Sequence, residues 1–90
     1  MHVLRIEHGV RDFDSWKKAF DSDPIGRAAG GVRSYRVLRA DDDPNYALID
    51  LEFDDASAAE SFLDGLRQLW QRVEGLTEPK ARIVEVVERT

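Results

Sequence analysis

One histidine and two tryptophans are the residues of this chain best suited to chemistry on a small molecule. An imidazole ordinarily titrates near neutrality, so His8 is a residue type that can remove or return a proton, and the indoles of Trp16 and Trp70 offer flat faces between which an aromatic ring can lie. Phe20, Phe62 and Leu66 recur with those tryptophans at helical spacing and would complete an apolar wall. The same residue types also serve structure: aromatic side chains at helical spacing fill cores, and a histidine at a strand end is commonly held by a hydrogen bond. Volume separates the two uses. A solvent-open cavity of roughly 300 Å³ or more between His8, Trp16 and Trp70 marks a ligand site, whereas side chains filling that space mark a closed core.

Other groupings carry less. Asp41-Asp42-Asp43 falls in a turn and Asp54-Asp55 directly precedes a helix, so turn chemistry and helix N-terminal charge account for them. Gly26, Gly30 and Gly31 follow a helix rather than a strand and make no dinucleotide fingerprint. No Ser-His-Asp arrangement can be argued from position. With no cysteine there is no thiolate zinc site, thiol nucleophile or redox pair, and neither a metal nor a cofactor is expected. His2, at the frayed N-terminus, reads as structural.

A net charge of −5 argues against a nucleic-acid partner, because phosphate binding draws on counterion release by clustered Lys and Arg. Arg33, Arg36 and Arg39 come nearest to a basic cluster, but on a strand Arg36 points opposite to the other two, which suits solvated edge-strand charges. The charged start, Met1 to Glu7, contains no signal-peptide apolar region, and no stretch approaches the ~20 apolar residues of a membrane span. A mature chain beginning at or near Met1, no membrane partner and a cytoplasmic location are the expectations, and the absence of cysteine is compatible with them.

The elements that must position these residues can be read from periodicity. Val3 to Val10 alternates as a strand, with Leu4, Ile6 and His8 on one side and Val3, Arg5 and Glu7 on the other. Asp12 caps a helix from Phe13 to Asp21, Ile25 to Ala29 can add one more turn, and Gly30-Gly31 ends it. Strands at Val32 to Ala40 and Tyr46 to Phe53 form a hairpin across the loop Asp41 to Asn45. Ser57 and Glu60 make a capping box for a second helix, whose stripe runs from Ala59 through Val73 until Gly75 stops it. Pro79 opens a last segment, with a strand from Ala81 to Val87.

Residues 1–90 are therefore expected to form one α+β domain, a ferredoxin-like βαββαβ unit with two helices on one face of a four-stranded antiparallel sheet. Following chain direction brings His8, Trp16 and Trp70 to one end of the space between helices and sheet, with the hairpin loop as a rim. The other face carries Arg5, Glu7, Leu48, Asp50 and Glu52, with Arg5 opposite Asp50. It is either wet or packed against a second copy, and a domain this small without disulfides gains from a partner.

The run from His8 to Asp21 (HGVRDFDSWKKAFD), Gly31 to Arg39, Asp42-Asp43-Pro44-Asn45 and Leu51-Glu52-Phe53-Asp54 resembles the small dimeric α/β-barrel proteins related to antibiotic-biosynthesis monooxygenases. The resemblance covers about the first two thirds of the chain. It implies a homodimer joined sheet to sheet, with any ligand held between helices and sheet within each subunit. Haem-degrading relatives pair a strand-one asparagine with a helical tryptophan and a histidine, whereas the only asparagine here is Asn45 in the hairpin loop.

The expected function is binding of a small apolar or aromatic molecule. A cofactor-independent monooxygenase-like reaction on a flat aromatic or polyketide-like compound is the catalytic form of that expectation, with His8 as its base. The alternative is a non-catalytic homodimeric binding or structural module.

Overall fold

The computed structural model describes residues 1–73 and 75–90. The elements, in chain order, are β1 (His2–Gly9), α1 (Phe13–Asp21), β2 (Ser34–Arg39), β3 (Tyr46–Phe53), α2 (Ala56–Trp70) and β4 (Thr77–Glu85). The strands pair antiparallel in the order β2-β3-β1-β4, which puts the two most alternating strands in the centre. Register follows the hydrophobic pattern: Leu4 lies opposite Leu51, Ile6 opposite Ile49 and Arg5 opposite Asp50. Leu4, Ile6, Ala47, Ile49, Leu51 and Phe53 are buried on the side that meets the helices. The architecture is the ferredoxin-like α+β fold that the order of elements predicts.

The two helices do different work. In α2, Ala59, Phe62 and Leu63 are buried against the sheet, whereas α1 has no buried residue and touches the core only through half-buried aromatic side chains. Asp12 caps α1 by accepting the Ser15 amide at 3.0 Å. Asn45 then ties this end of α1 to the hairpin loop, its Oδ1 accepting the Phe13 amide at 3.1 Å and its carbonyl the Val10 amide at 2.8 Å.

β2 is shorter than the periodicity suggests, Ser34–Arg39 rather than Val32–Ala40, and β4 stops at Glu85 rather than Val87; three further element ends depart for a visible reason. The N-cap of α2 is Asp55, not Ser57: its carboxylate accepts the Ala58 amide at 2.8 Å, and Ser57 lies inside the first turn. The helix ends at Trp70 rather than near Gly75, because the Arg72 amide bonds back to the Leu69 carbonyl at 2.9 Å and tightens the chain out of α-helical geometry. Finally, β4 begins at Thr77, four residues before the expected start. Gly9 pairs with Thr77 and Glu7 with Lys80, so Glu78 and Pro79 together face the single residue His8. This is a β-bulge with Glu78 in the left-handed region at φ 45°, and it lets Pro79, which has no amide proton, sit inside an edge strand.

Candidate functional site

Chain direction brings His8 and Trp16 together because α1 starts at the end of the sheet where β1 finishes. It brings Trp70 there because α2 starts at the opposite end and runs back. The His8 ring centroid lies 5.6 Å from that of Trp16 and 6.4 Å from that of Trp70, edge-on to both. Trp16 continues the aromatic row to Phe20 at 5.4 Å. His8, Trp16, Phe20, Phe62, Leu66 and Trp70 all line one cavity between helices and sheet. Its volume is about 130 Å³. The space is thus neither filled nor as large as the roughly 300 Å³ at which ordinary ligand pockets begin. A dry apolar cavity of about 150 Å³ is known to hold benzene, so one ring is the right scale here.

The cavity exists because α1 stands off the sheet. Bulky Trp16 and Phe20 face it from above, while the floor is made of fully covered strand residues such as Ile49 and Leu51. A more open depression of about 280 Å³ beside α2 shares Trp70, Val73 and Leu76 with it.

His8 is 2% exposed and is the one buried polar residue among the described core. Its Nδ1 lies 3.3 Å from the Gly9 carbonyl, a contact that favours a proton on Nδ1 and leaves Nε2 free to accept one. Burial pulls its pKa below the ordinary 6.5, only partly offset by backbone hydrogen bonding, so the ring is neutral at neutral pH. Between the lowered folded-state value and the ordinary unfolded one, the unfolded chain binds the extra proton. His8 therefore subtracts stability as pH falls below about 6.5, and the loss levels off once pH passes the folded-state value. Urea midpoints at pH 7.5 and 5.5 should show this loss in the wild type and a smaller one in His8→Gln; equal losses would rule His8 out as its source.

His2 lies at the far end of β1 opposite Phe53 and does not line the cavity. Its buried Nδ1 has no partner among the described residues.

Two cavity residues escape the periodicity. Asp23 and Arg27 lie in the segment between α1 and β2, which reads in sequence only as an interrupted helix. The available signal is their i, i+4 spacing. Arg27 stacks its guanidinium 4.0 Å from the Phe20 ring centroid and 4.7 Å from that of Tyr35, and brings a fixed positive charge to an otherwise apolar wall.

The helix-free face holds the other expected group. Across mid-sheet, Arg36, Asp50, Arg5 and Arg82 stand side by side. Asp50 accepts from Arg5 at 3.1 and 3.3 Å and from Arg36 at 2.8 Å. Burial alone would raise its pKa, but these hydrogen bonds and charges outweigh that and lower it. Glu7 accepts the Tyr46 hydroxyl at 2.7 Å, and Glu52 is reached at 3.2 Å by Arg89 from the C-terminal tail. Leu48 lies beside Leu38 of the edge strand on the same face.

No protein-family model matches the sequence, and no curated protein matches it. Among the described residues, no helix is long and apolar enough to cross a membrane. Solved structures with a similar fold include the following two. A candidate antibiotic biosynthesis monooxygenase from Deinococcus radiodurans superposes with a TM-score of 0.71 at 18% identity, covering 100% of this chain and 96% of that one. A dimeric ferredoxin-like protein from an uncultured marine organism gives a TM-score of 0.68 at 12% identity, covering 99% and 96%. At such identities what is shared is the fold, and the chain is a ferredoxin-like α+β protein.

Proposed function

We propose that residues 1–90 form one subunit of a homodimer that binds a small aromatic or apolar molecule between its helices and sheet, and that His8 transfers a proton to or from that molecule. The observation that carries this reading is the cavity itself: a space of about 130 Å³ whose wall is apolar except for a few placed polar groups, with a buried neutral imidazole between two indoles. In its catalytic form the reaction is a cofactor-independent monooxygenation. Nε2 of His8 takes the proton of a phenolic hydroxyl, and the electron-rich phenolate is oxidised by dioxygen to the quinone: one oxygen atom becomes the new ring carbonyl, and the other leaves as water with the two hydrogens the substrate loses, the substrate itself supplying the electrons. The volume narrows the substrate to a single-ring compound; a polyketide of several fused rings exceeds it. Similarity to a candidate antibiotic biosynthesis monooxygenase is consistent with this chemistry.

The dimer joins the helix-free faces. A small domain with one bare sheet face gains by covering it, one structural neighbour is described as dimeric, and Leu38 and Leu48 supply apolar surface beside the charged row.

A calorimetric screen of single-ring phenols, followed by oxygen-consumption assays on those that bind, tests the function. Wild-type protein is expected to bind and turn over at least one. His8→Ala should bind it within about threefold but lose a factor of about 10² to 10⁴ in turnover, the usual contribution of a positioned general base. Binding without turnover by the wild type would leave a binding module and remove the enzyme. Unchanged turnover in His8→Ala would remove the histidine from the mechanism.

A further inference from the structure

Arg27 is an unusual residue to find on this wall. Its side chain is only 15% exposed, and a cation so placed beside apolar space is costly unless an anion meets it. Asp23 meets it only with one long ion pair to Nε. Asp23 Oδ1 accepts the Arg27 backbone amide at 2.9 Å and stands 3.6 Å from Nε, beyond good hydrogen-bond geometry. Nη1 donates to the Phe20 carbonyl at 2.8 Å. The edge formed by Nε and Nη2, the one that takes a carboxylate in two parallel bonds, makes no hydrogen bond among the described residues.

The guanidinium is also held in place before any ligand arrives. Asp23 adopts φ 56°, a left-handed conformation that short polar side chains tolerate, and so brings its carboxylate back onto the loop. The Arg27 amide is fixed by Asp23, and its carbonyl accepts the Val32 amide at 3.0 Å. Phe20 and Tyr35 then fix the plane of the guanidinium. Trp16 and Phe20 run from His8 to Arg27 along the roof, so the neutral base and the fixed cation share one cavity with the ring-binding surface between them.

We infer that the ligand of this cavity is a small aromatic acid, its ring along Trp16 and Phe20 and its carboxylate held by the Nε and Nη2 edge of Arg27. The inference rests on the ligand-binding reading above and names the class of ligand. The acid distinguishes this cavity from a simple hydrophobic hole, because a neutral ring offers the guanidinium no opposite charge and no pair of acceptor oxygens.

Phenylacetate and its uncharged isostere phenylacetamide separate the two cases by calorimetry at pH 7.5 and physiological salt. Wild-type protein is expected to bind the acid about tenfold more tightly than the amide, the order of magnitude of one charge-assisted pair. Arg27→Gln should abolish that preference, so that acid and amide bind equally. Arg27→Lys, which keeps the charge and the apolar stem but not the planar fork, should bind the acid less tightly than wild type, and decides the matter if the glutamine variant does not fold. Equal wild-type affinity for acid and amide overturns the inference and leaves the ligand cavity standing. So does a preference that persists in Arg27→Gln, or an acid affinity unchanged in Arg27→Lys. Wild-type protein that binds neither compound at millimolar concentration overturns the inference and the ligand-binding reading together.

Discussion

Wild-type protein should sediment at twice the 10.3 kDa of the chain, and Arg5→Glu should sediment as the monomer at the same concentration. The substitution acts on the row Arg36, Asp50, Arg5, Arg82 at the centre of the helix-free face. In the wild type, Asp50 pairs with two of the three guanidiniums, and its side chain is only 13% exposed even in the single chain. Glutamate at position 5 removes two hydrogen bonds and brings a second carboxylate against Asp50. In the single chain this costs little, because Arg5 is 59% exposed and water and salt screen the charges. Covered by a partner sheet, the same pair is desolvated, and breaking a buried ion pair costs about 3–5 kcal/mol, which weakens the dimer by a factor of a hundred or more. The contrast between a nearly unchanged monomer and a lost dimer is the diagnostic result. A wild type that is monomeric at high concentration would remove the sheet-to-sheet dimer, and a dimer untouched by Arg5→Glu would move it to another surface.

The legibility of this face in the sequence has a simple cause. Strands of period two declare which side each residue occupies, and the order of elements makes β1 and β3 neighbours, so Arg5 opposite Asp50 follows once the hydrophobic sides are aligned. Convergence of His8, Trp16 and Trp70 was legible for the same reason, since it depends only on chain direction. Cavity volume was not, because it depends on how far α1 stands off the sheet, and periodicity says which side of a helix faces inward but not at what distance. Arg27 was hidden because its place depends on the left-handed turn at Asp23 and on Tyr35 from a strand reached only after the loop. The bulge at Glu78 and Pro79 was hidden because a proline ordinarily argues against a strand. Asp55 and Ser57 both satisfy the chemistry of an N-cap, and only the backbone at Asp55, extended at φ −142°, decides between them.

In sequence Gly30 only stops a helical turn, whereas in the fold it makes room for the cavity wall. A Cβ at this position would lie 2.5 Å from Cδ1 and 2.8 Å from Cε1 of Phe62, distances that no packed carbon pair tolerates. Phe62 is 6% exposed and backed by Phe53, whose ring centroid is 5.6 Å away, so the ring cannot retreat toward the core. The open direction is the cavity that Phe62 lines. Gly30→Ala is therefore expected to destabilise the protein by about 1–3 kcal/mol through overpacking and to push the Phe62 ring into the cavity. Ligand binding should fall far more than stability, since a space of about 130 Å³ cannot both take part of a phenyl ring and admit a second one. Gly26→Ala is the matched control. Its φ of 83° makes any side chain strained, at about 1–2 kcal/mol, but the nearest side-chain atom is the Ala29 Cβ at 3.8 Å and Phe62 is not disturbed. Urea denaturation should give the two variants similar midpoints, while calorimetry with phenylacetamide should show binding kept in Gly26→Ala and lost in Gly30→Ala. Equal binding by the two would mean that Phe62 yields in some other direction and that the cavity does not depend on this contact.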